Sequence, residues 1–429
     1  MGSFNEDFVK TTNLPSSDSS HLILSPATVA EQVQAWKINE PAWRGIFSTE
    51  QYLARERHLS QQRLTKDGQI TYWILTTADG KPDQRPIYSA CESFRKIGLV
   101  VRPGSKHVEE VIAHGVGSVF CRPEYRGRGY AGRMMKELAQ KMDQGWQQPS
   151  GHPPSFSILY SDIGQKFYND FGWKPYPSTH ITFDPISEET YTETVKRLDL
   201  PAPIDITTSD LEPEICPRDV DQMKERILSL AEKSNDPAKT FIAIRPDYEH
   251  ISWHHAREEF HALATQQDFP KIKGAAVPSY HSSSSSSVLP PTLIWTRSYG
   301  STPDHFILNA LRLIHPSSSS SSSSSRSHSD LKAITSLLLR AQLEAERSGM
   351  KAFEIWSPSK ITIQAASILK GFEEEEHDPH LDIVIKREKE SICSLRWIGG
   401  GDDDDDDDDD GDKGTQEIVW IGNEKYAWC

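Results

Sequence analysis

The chain has 429 residues, 36% of them hydrophobic, and a formal net charge of −15 at pH 7. Nine of these negative charges come from the aspartate run 402–410, so the remaining chain is only mildly acidic and is poorly suited to nucleic acid or anionic membranes. No stretch approaches the ~20 apolar residues of a membrane-spanning helix. The five scattered cysteines form no C-x-x-C pair, which argues against a zinc ribbon and favours a reducing, cytoplasmic location.

The first half of the chain has the pattern of one α/β domain, which we place at residues 21–185 after a polar, disordered tail at 1–20. Ser25-Pro26 is typical of a helix start, and Ser48 with Gln51 forms a capping box for a second helix. In chain order, the predicted elements are helices at 25–38 and about 49–58, strands at 70–76, 85–92, 98–102 and 111–120, a helix at 131–145, a strand at 156–160 and a helix at 163–171.

The second half is less regular and contains three low-complexity inserts. We predict a linker at 186–218 and a C-terminal α/β domain at 219–429, with disordered inserts at 281–288, 316–328 and 400–414. The predicted elements are helices at 219–234, 251–264 and 329–347, and strands at 292–296, 352–356 and 417–420. The order strand, helix, strand within 292–356 echoes the first half, so a degenerate duplication of one fold is a hypothesis.

A glycine-rich segment at residues 126–132 is the strongest chemical signal, and it fits two patterns. Gly127, Gly129 and Gly132 match G-x-G-x-x-G, the dinucleotide-binding fingerprint. Extended back to Arg126, the segment also matches R-x-x-G-x-A, ending at Ala131. Both patterns place glycines where backbone amides must approach a pyrophosphate at the start of a helix.

The sequence around this segment argues against the dinucleotide fold. Six polar or bulky residues, 121–126, separate the preceding strand from the first glycine, whereas a dinucleotide-binding strand runs almost directly into it. The acidic residue expected ~20 positions beyond the glycines is also missing, since the next acidic strand end is Asp162. These two departures argue against a dinucleotide as the ligand of the loop.

Two blocks of sequence together resemble the GNAT superfamily of N-acetyltransferases. Residues 119–131, Val-Phe-Cys-Arg-Pro-Glu-Tyr-Arg-Gly-Arg-Gly-Tyr-Ala, are similar to its acetyl-CoA motif. About thirty residues later, a second block of the superfamily has counterparts in Ser161, Gly164, Phe167, Tyr168, Gly172 and Trp173. Three of these depart from the usual residues, since Ser161 replaces Asn, Gly164 replaces Ala and Trp173 replaces Phe. The wider sequence resembles the fungal lysine N6-acetyltransferases, which also carry a C-terminal domain of this length.

The resemblance implies a mixed central sheet flanked by helices, acetyl-CoA as donor and no metal. It also implies that Tyr168 protonates the departing coenzyme A thiolate and that a backbone amide at the end of the preceding strand polarises the thioester. The implied cofactor-binding residues are Val119, Phe120, Cys121, Arg126, Gly127, Arg128, Gly129, Tyr130, Ala131 and Ser161. The acceptor it implies is the side-chain amine of free L-lysine.

An amine acceptor also requires a proton acceptor, because an amine with a pKa of ~10.4 is almost fully protonated at neutral pH. In the superfamily this base is often a glutamate on the strand before the loop. His114 lies near that place, and Glu92, at the end of a neighbouring predicted strand, is the other candidate. The sequence leaves the choice between them open.

Other interpretations remain at this stage. His250, His254 and Glu258 repeat every four residues on one predicted helix, a spacing that can bind a metal, but Ile251 stands where the zinc-protease motif needs Glu. Within enzymes, a peptide or another small amine is an alternative acceptor. Outside enzymes, the alternative is a coenzyme A-binding scaffold or sensor, against which Tyr168 argues because a sensor needs only the loop.

Overall fold

The computed structural model describes residues 14–145, 153–234, 236, 238–278, 289–315, 324–371, 383–399 and 417–428. Within these residues the strands form two mixed sheets, each covered by helices. None of the described helices is both long and apolar enough to cross a membrane. The helices are α1 Val29–Trp43, α2 Thr49–Ser60, α3 Tyr130–Asp143, α4 Lys166–Asn169, α5 Glu188–Leu198, α6 Thr208–Asp210, α7 Cys216–Glu232, α8 Tyr248–Ala264, α9 Ser324–Arg347 and α10 Lys360–Lys370.

The first sheet has the order β1-β2-β3-β4-β5-β15-β6, and β9 pairs with the second half of β3 and carries β16 on its far side. Its strands are β1 Leu22–Pro26, β2 Ile70–Thr77, β3 Ser89–Val101, β4 Glu109–Cys121, β5 Phe156–Ser161, β6 Lys174–Pro175, β9 Thr240–Ile244, β15 Ile392–Trp397 and β16 Ile418–Trp420. Three of these strands come from the C-terminal half. The first sheet is therefore built by both halves of the chain.

The second sheet has the order β14-β7-β13-β12-β11-β10-β8. Its strands are β7 Thr179–Phe183, β8 Ile204–Ile206, β10 Gly274–Ala276, β11 Thr292–Ser298, β12 Ile307–Ile314, β13 Ala352–Trp356 and β14 Ile385–Lys386. The helix α9 joins the parallel strands β12 and β13, as α3 joins the parallel strands β4 and β5. Each sheet thus contains its own strand–helix–strand unit of the same kind, as the predicted duplication requires.

The predicted domain limits do not follow the sheets. The strand β7 lies inside the predicted catalytic domain at 21–185 but belongs to the second sheet, while β9, β15 and β16 belong to the first. Sequence periodicity detects a strand but not its partner, so sharing of strands between sheets was not predicted. The predicted linker at 186–218 contains α5, β8 and α6.

Four local predictions also need correction. The predicted helix at 25–38 begins at Val29, where Thr28 is the cap, because residues 22–26 pair as β1 with β2. The strands predicted at 85–92 and 98–102 are parts of one strand, β3. Residues 14–20 of the predicted tail pack on α3, and residues 324–328 of the second predicted insert belong to α9. The other two inserts, 281–288 and 400–414, lie outside the described residues.

Three apolar layers hold the molecule together. One lies between the first sheet and α3, and includes Met134, Leu138 and Trp73. A second lies under α9 and α10 on the second sheet. A third contains residues of both sheets, among them Phe156 of β5 and Leu311 of β12, so the sheets pack into a common core.

Candidate active site

The strands β4 and β5 separate at their C-terminal ends. Their parallel pairing runs from Ala113–Phe156 to Val116–Leu159 and stops there, although β4 continues to Cys121 and β5 to Ser161. The far edge of β5 is held by β15 along its whole length. A wedge-shaped opening, here called the cleft, therefore lies between residues 117–121 and residues 160–161. Backbone groups on the inner edge of β4 are available there to a ligand.

A β-bulge shapes the β4 side of the cleft. The β3–β4 register shifts between Ala90 and Glu92, so that Cys91 is opposed by both Ser118 and Val119. Ser118 has a φ of 51°, which is the left-handed region that few serines occupy. A bulge at this point bends β4 away from β5 and re-aims the residues that follow. The sequence gives no signal for it.

Glu92 lies at this bulge. It is paired with Gly117 across the strands, and its carboxylate accepts a hydrogen bond of 2.9 Å from the Ser118 hydroxyl. Only 7% of its surface is exposed. Burial, together with the negative charge of Glu56, raises the pKa of Glu92 to about 7. A carboxyl group with this pKa exchanges its proton at neutral pH, which is the property that a general base requires.

The loop at residues 126–129 enters α3 with glycines in left-handed conformations. Gly127 has a φ of 75° and Gly129, the residue before α3, a φ of 85°. Gly129 has no side chain to cap the helix, so the first amides of α3 remain available to bind an anion. Residues 126–129 are exposed, whereas Tyr130 is buried. The loop can therefore hold a pyrophosphate through its backbone.

An open groove of about 480 Å³ continues from this loop along α3. It is bordered by Gly129, Gly132 and the basic residues Arg133, Lys136 and Lys141. Arg133 is already paired with Glu137 and with the Ser17 carbonyl, so its charge is largely used inside the protein. A groove of this polarity, starting at a phosphate-binding loop, fits the nucleotide end of coenzyme A.

Tyr168 lies on α4, just beyond the β5 side of the cleft. Its ring packs against Phe167 with a centroid distance of 5.0 Å and belongs to the apolar layer beneath α3. Burial raises the pKa of Tyr168 above its ordinary value, and Cys91 and Asp162 act in the same direction. The phenol therefore keeps its proton at neutral pH. It can donate that proton to a developing thiolate but cannot serve as a base.

Family comparisons agree with this geometry. Residues 106–176 match the Acetyltransferase (GNAT) domain, and residues 180–429, more than half of the chain, match the LYC1 GNAT-like C-terminal domain. The chain belongs to the GNAT family of LYC1 type. Two GNAT-type domains in tandem confirm the predicted fold class and the predicted duplication. GNAT enzymes use acetyl-CoA or another acyl-CoA, and the loop, groove and cleft fit such a donor.

Two curated proteins are similar in sequence to this GNAT chain. An uncharacterized protein of Saccharomyces cerevisiae is 23% identical over 435 aligned positions, covering 91% of this chain and 93% of that protein. A lysine acetyltransferase of Yarrowia lipolytica is 27% identical over 143 positions, covering 30% of this chain and 35% of the relative. The second relative is therefore matched over about a third of its length only.

Solved structures with related folds were found as well. A probable N-acyltransferase of Enterococcus faecalis aligns with 88% of this GNAT chain and 73% of its own length, at 12% identity and a TM-score of 0.48. An N-myristoyltransferase of Saccharomyces cerevisiae aligns with 91% of this chain and 82% of its own length, at 9% identity and a TM-score of 0.46. The family assignment rests on the sequence matches.

The structure separates the two candidate bases. Glu92 and Gly117 lie on one face of the sheet, whereas His114 lies on the other, three residues earlier and opposite Ser157 in the section where β4 and β5 are still paired. His114 borders a small cavity with Leu138 and Met142 of α3. Burial lowers its pKa to about 4. Of the two candidates, only Glu92 therefore lies at the bulge beside the cleft.

Several predicted cofactor-binding residues contribute backbone rather than side chains. The Tyr130 hydroxyl donates to the Pro15 carbonyl at 2.6 Å, and the Cys121 thiol, whose pKa is raised by burial, faces the Tyr88 carbonyl. The Ser161 hydroxyl donates to the Gly164 carbonyl at 2.7 Å and shapes the turn before α4. The residues whose amides lie at the cleft or loop are Val119, Phe120, Cys121, Gly127, Arg128, Gly129, Tyr130 and Ala131.

The side chain of Arg126 lies beneath the strand end that leads to the loop. Its Nε donates to the Cys121 carbonyl at 3.2 Å, and its guanidinium lies 5.5 Å from the Phe120 ring centre. Arg126 therefore holds the last residues of β4 against the loop. Arg128 is exposed and projects from the loop itself, where it is available to a phosphate.

The three residues considered for metal binding all have protein partners. His250 Nδ1 lies 2.6 Å from the Asp247 carboxylate, and His254 Nε2 lies 3.3 Å from the Tyr426 carbonyl. The Glu258 carboxylate accepts from Lys273 at 2.5 Å. The helical spacing therefore serves packing of α8 against neighbouring elements.

Sequence analysis missed the residues that surround Glu92 from the helical side. The helices α1 and α2 cover the face of the sheet on which Glu92 lies. Trp36, Arg55 and Glu56 of these helices all influence the pKa of the Glu92 carboxyl. Arg55 and Glu56 form an ion pair of 2.7 Å in which both side chains are largely buried. No motif marks these residues, because they reach Glu92 only through the packing of α2 on the sheet.

Proposed function

We propose that this protein transfers the acetyl group of acetyl-CoA to the N6 amine of free L-lysine, in a ternary complex and without a covalent enzyme intermediate. The observation that carries the proposal is the presence of a titrating carboxyl group and a protonated phenol on the two sides of one cleft. The choice of lysine is supported by the similarity to the Yarrowia lipolytica lysine acetyltransferase, which covers 30% of the chain.

In this mechanism each group has one task. The Glu92 carboxylate accepts the proton of the incoming ammonium, directly or through a water, and so produces the free amine. Backbone amides at residues 119–121 donate to the carbonyl oxygen of the thioester as negative charge develops on it. As the carbon–sulfur bond breaks, Tyr168 donates its proton to the departing sulfur, and the phenolate regains a proton from the nitrogen of the new amide, directly or through water. Glu92 then returns its proton to solvent. The loop and the first turn of α3 hold the pyrophosphate and so fix the thioester in the cleft.

The corresponding cellular role is an entry step of lysine breakdown in the cytoplasm. An acetylated N6 amine is neutral, so the product has lost the side-chain charge that Glu92 would otherwise pair with. Release of product follows from this loss of charge.

The test is to supply purified full-length protein with acetyl-CoA and a panel of L-lysine, L-ornithine, polyamines and a histone peptide, and to follow thiol release and product mass. We expect release with L-lysine and a single acetyl group on its N6 amine. A preference for the peptide or a polyamine would overturn the choice of acceptor. Tight binding of acetyl-CoA with no release for any amine would replace catalysis by a coenzyme A-binding role.

A further inference from the structure

Two positively charged side chains meet at one aromatic ring on the acceptor side of the molecule. The Lys425 ammonium lies 4.3 Å from the ring centre of Trp428, and the Arg257 guanidinium lies 5.6 Å from the same ring. Both side chains are half-buried. Among the described residues, neither side chain forms a salt bridge with a carboxylate. Two neighbouring cations that lack a counter-ion favour the binding of an anion.

Aromatic rings surround the two cations. The Lys425 ammonium also lies 4.0 Å from the ring centre of Trp356, so it is held between two indoles. Trp428 in turn stacks on His254 at a centroid distance of 6.0 Å. Burial lowers the pKa of Lys425 to about 7 and that of Arg257 to about 10. The cost of burying these charges is what a bound anion would offset.

Other charged groups act on Lys425 from neighbouring elements. Glu354 and Asp162 favour its charged form, and Arg387 opposes it together with Arg257. Arg387 stacks on Trp356 at 4.0 Å from the ring centre and donates to the Thr179 carbonyl at 3.0 Å. The two acidic groups therefore do not cancel the positive charge near Trp428, because the charges of Arg387 and Arg257 offset them.

The helix α8, which carries Arg257, packs on the face of the first sheet that holds Glu92, since Trp253 of α8 lies 6.3 Å from Phe94, the second residue after Glu92 on β3. The helices α2 and α8 pack side by side, with Gln51 donating to the Ala264 carbonyl at 3.1 Å. Glu56 of α2 acts electrostatically on both Glu92 and Arg257. The Arg55–Glu56 ion pair is therefore close to both Glu92 and Arg257.

Ring contacts also connect the end of β5 with Lys425. Tyr160, near the end of β5, packs against Trp356 with a centroid distance of 5.9 Å. Trp356 is the ring that carries the Lys425 ammonium. An acceptor whose amine is at Glu92 can therefore extend its far end toward Arg257 and Lys425.

We propose that Arg257 and Lys425 bind the α-carboxylate of the acceptor, so that the substrate class is a free amino acid with an amine on its side chain. The proposal rests on the proposed function as an amine acetyltransferase. Arginine suits this role because its planar fork matches both carboxylate oxygens. A lysine within a peptide has no such carboxylate, and a diamine such as cadaverine lacks it as well. The two cations thereby select free lysine against both.

The kinetic test compares L-lysine with cadaverine, which has the same amine and stem but no carboxylate. For the wild-type protein we expect kcat/KM to favour L-lysine by a hundredfold or so, on the scale of one buried charge-assisted contact. In Arg257→Gln that preference should fall at least tenfold, mainly through KM for L-lysine. The matched control is Arg57→Gln, an exposed arginine of α2, which should retain the wild-type ratio.

A binding test keeps the proposal separate from turnover. L-norleucine carries the carboxylate and the stem but no side-chain amine, so its affinity is measured by calorimetry on the full chain without reaction. We expect the Kd of L-norleucine to rise at least tenfold in Arg257→Gln and in Lys425→Met. The control ligand n-pentylamine lacks the carboxylate, and we expect it to bind neither variant more tightly than it binds the wild-type protein. Lys425→Met keeps an apolar filling between the two indoles if the arginine variant folds poorly.

The outcomes are distinguishable. If the wild-type protein acetylates L-lysine and Arg257→Gln and Lys425→Met both keep the preference over cadaverine, the carboxylate site is overturned while the proposed function stands. If no free amine is acetylated but L-norleucine binds to the wild-type protein and not to the variants, the carboxylate site is supported and the proposed function fails. Equal affinity of wild type and both variants for L-norleucine overturns the site.

Discussion

At the scale of single residues, burial has opposite chemical consequences for the two groups at the cleft. It raises the pKa of a carboxyl group, Glu92, to about 7, so that this group can take up and release a proton at neutral pH. It raises the pKa of a phenol, Tyr168, further above neutrality, so that this group always holds its proton. The same loss of hydration therefore suits Glu92 to the proposed role of base and Tyr168 to that of acid.

Replacement of Glu92 by Gln should remove the base while keeping its shape. We expect kcat to fall tenfold or more at pH 8, and the decline of wild-type kcat/KM below pH 7 to disappear from the variant. The measurement is a pH–rate profile with L-lysine between pH 5.5 and 9. Glu225→Gln, an exposed position on α7, is the control. A variant with the wild-type profile would remove Glu92 from the mechanism.

The same substitution should stabilise the protein at high pH. The pKa of Glu92 is about 7 in the folded state and 4.5 as the reference, so the folded protein binds the proton more tightly. Stability from this group is full below pH 4.5 and lost as pH rises through 7. The free energy of unfolding of Glu92→Gln should therefore exceed that of the wild type by roughly 1–3 kcal/mol at pH 8 and equal it near pH 4.5. Urea unfolding at both pH values measures this; equal gains would contradict it.

Removal of the Tyr168 hydroxyl should slow turnover without weakening donor binding. For Tyr168→Phe we expect kcat to fall roughly tenfold or more, because thiolate departs without a proton, while KM for acetyl-CoA stays within about twofold. Tyr191→Phe on the outer helix α5 is the control for loss of a phenol elsewhere. Unchanged turnover in Tyr168→Phe would show that the thiolate is protonated by another group.

At the scale of elements, the loop before α3 depends on backbone conformations that side chains rarely adopt. Gly129 has a φ of 85°, and a Cβ placed there would lie 2.7 Å from the Ser17 hydroxyl. Gly104, in the turn between β3 and β4, has a similar φ of 74° but no neighbour within 4 Å. A comparison of substitutions at the two glycines therefore distinguishes the effect of backbone strain from the effect of a changed loop geometry.

Replacement of either glycine by Ala should cost stability, but only one should affect the donor. Both variants should lose about 1 kcal/mol of unfolding free energy from the left-handed conformation. Gly129→Ala should also raise KM for acetyl-CoA about tenfold, since the first amides of α3 move relative to the loop. Gly104→Ala should leave that KM at the wild-type value. Steady-state kinetics and chemical unfolding of both variants test this; equal KM values would contradict it.

Element prediction succeeded where local chemistry decides the outcome. Ser48 and Gln51 form the predicted capping box at the start of α2, and the apolar spacing of α3 was recognised directly. It failed where tertiary pairing overrides a local signal. Residues 22–26 become a strand because β2 offers them a partner, and β3 continues through Gly98 because β4 and β9 pair with it on both edges.

At the scale of the whole molecule, the two GNAT-type halves are interlocked. The strand β15 covers the open edge of β5, and β9 pairs with the end of β3. A buried ion network joins α7, β12 and the C-terminal segment, since Arg312 pairs with Asp219 at 2.8 Å and also with Glu424. The C-terminal half therefore completes the first sheet, including the strand that borders the cleft.

A fragment of residues 1–185 should therefore not be a functional enzyme. It leaves the edge of β5 unpaired and exposes the face of the sheet that α8 covers, so we expect aggregation or a loosely packed state that binds a hydrophobic dye and releases no thiol from acetyl-CoA. The control is the full chain lacking the aspartate run 402–410, which should keep activity. A soluble, active fragment would show that the first half folds alone.

The sequence by itself indicated the family and, through that resemblance, an acyl-CoA donor and a candidate phosphate-binding loop, because these depend on contiguous residues whose spacing is fixed by the chain. It also placed Tyr168, which lies a fixed distance beyond the loop in the second block. Only the tertiary structure decided which of Glu92 and His114 lies beside the cleft, since two residues on neighbouring strands differ in which face of the sheet they occupy. The bulge at Ser118 and the meeting of Arg257 with Lys425 at Trp428 likewise arise from contacts between segments distant in the chain, which no local pattern records.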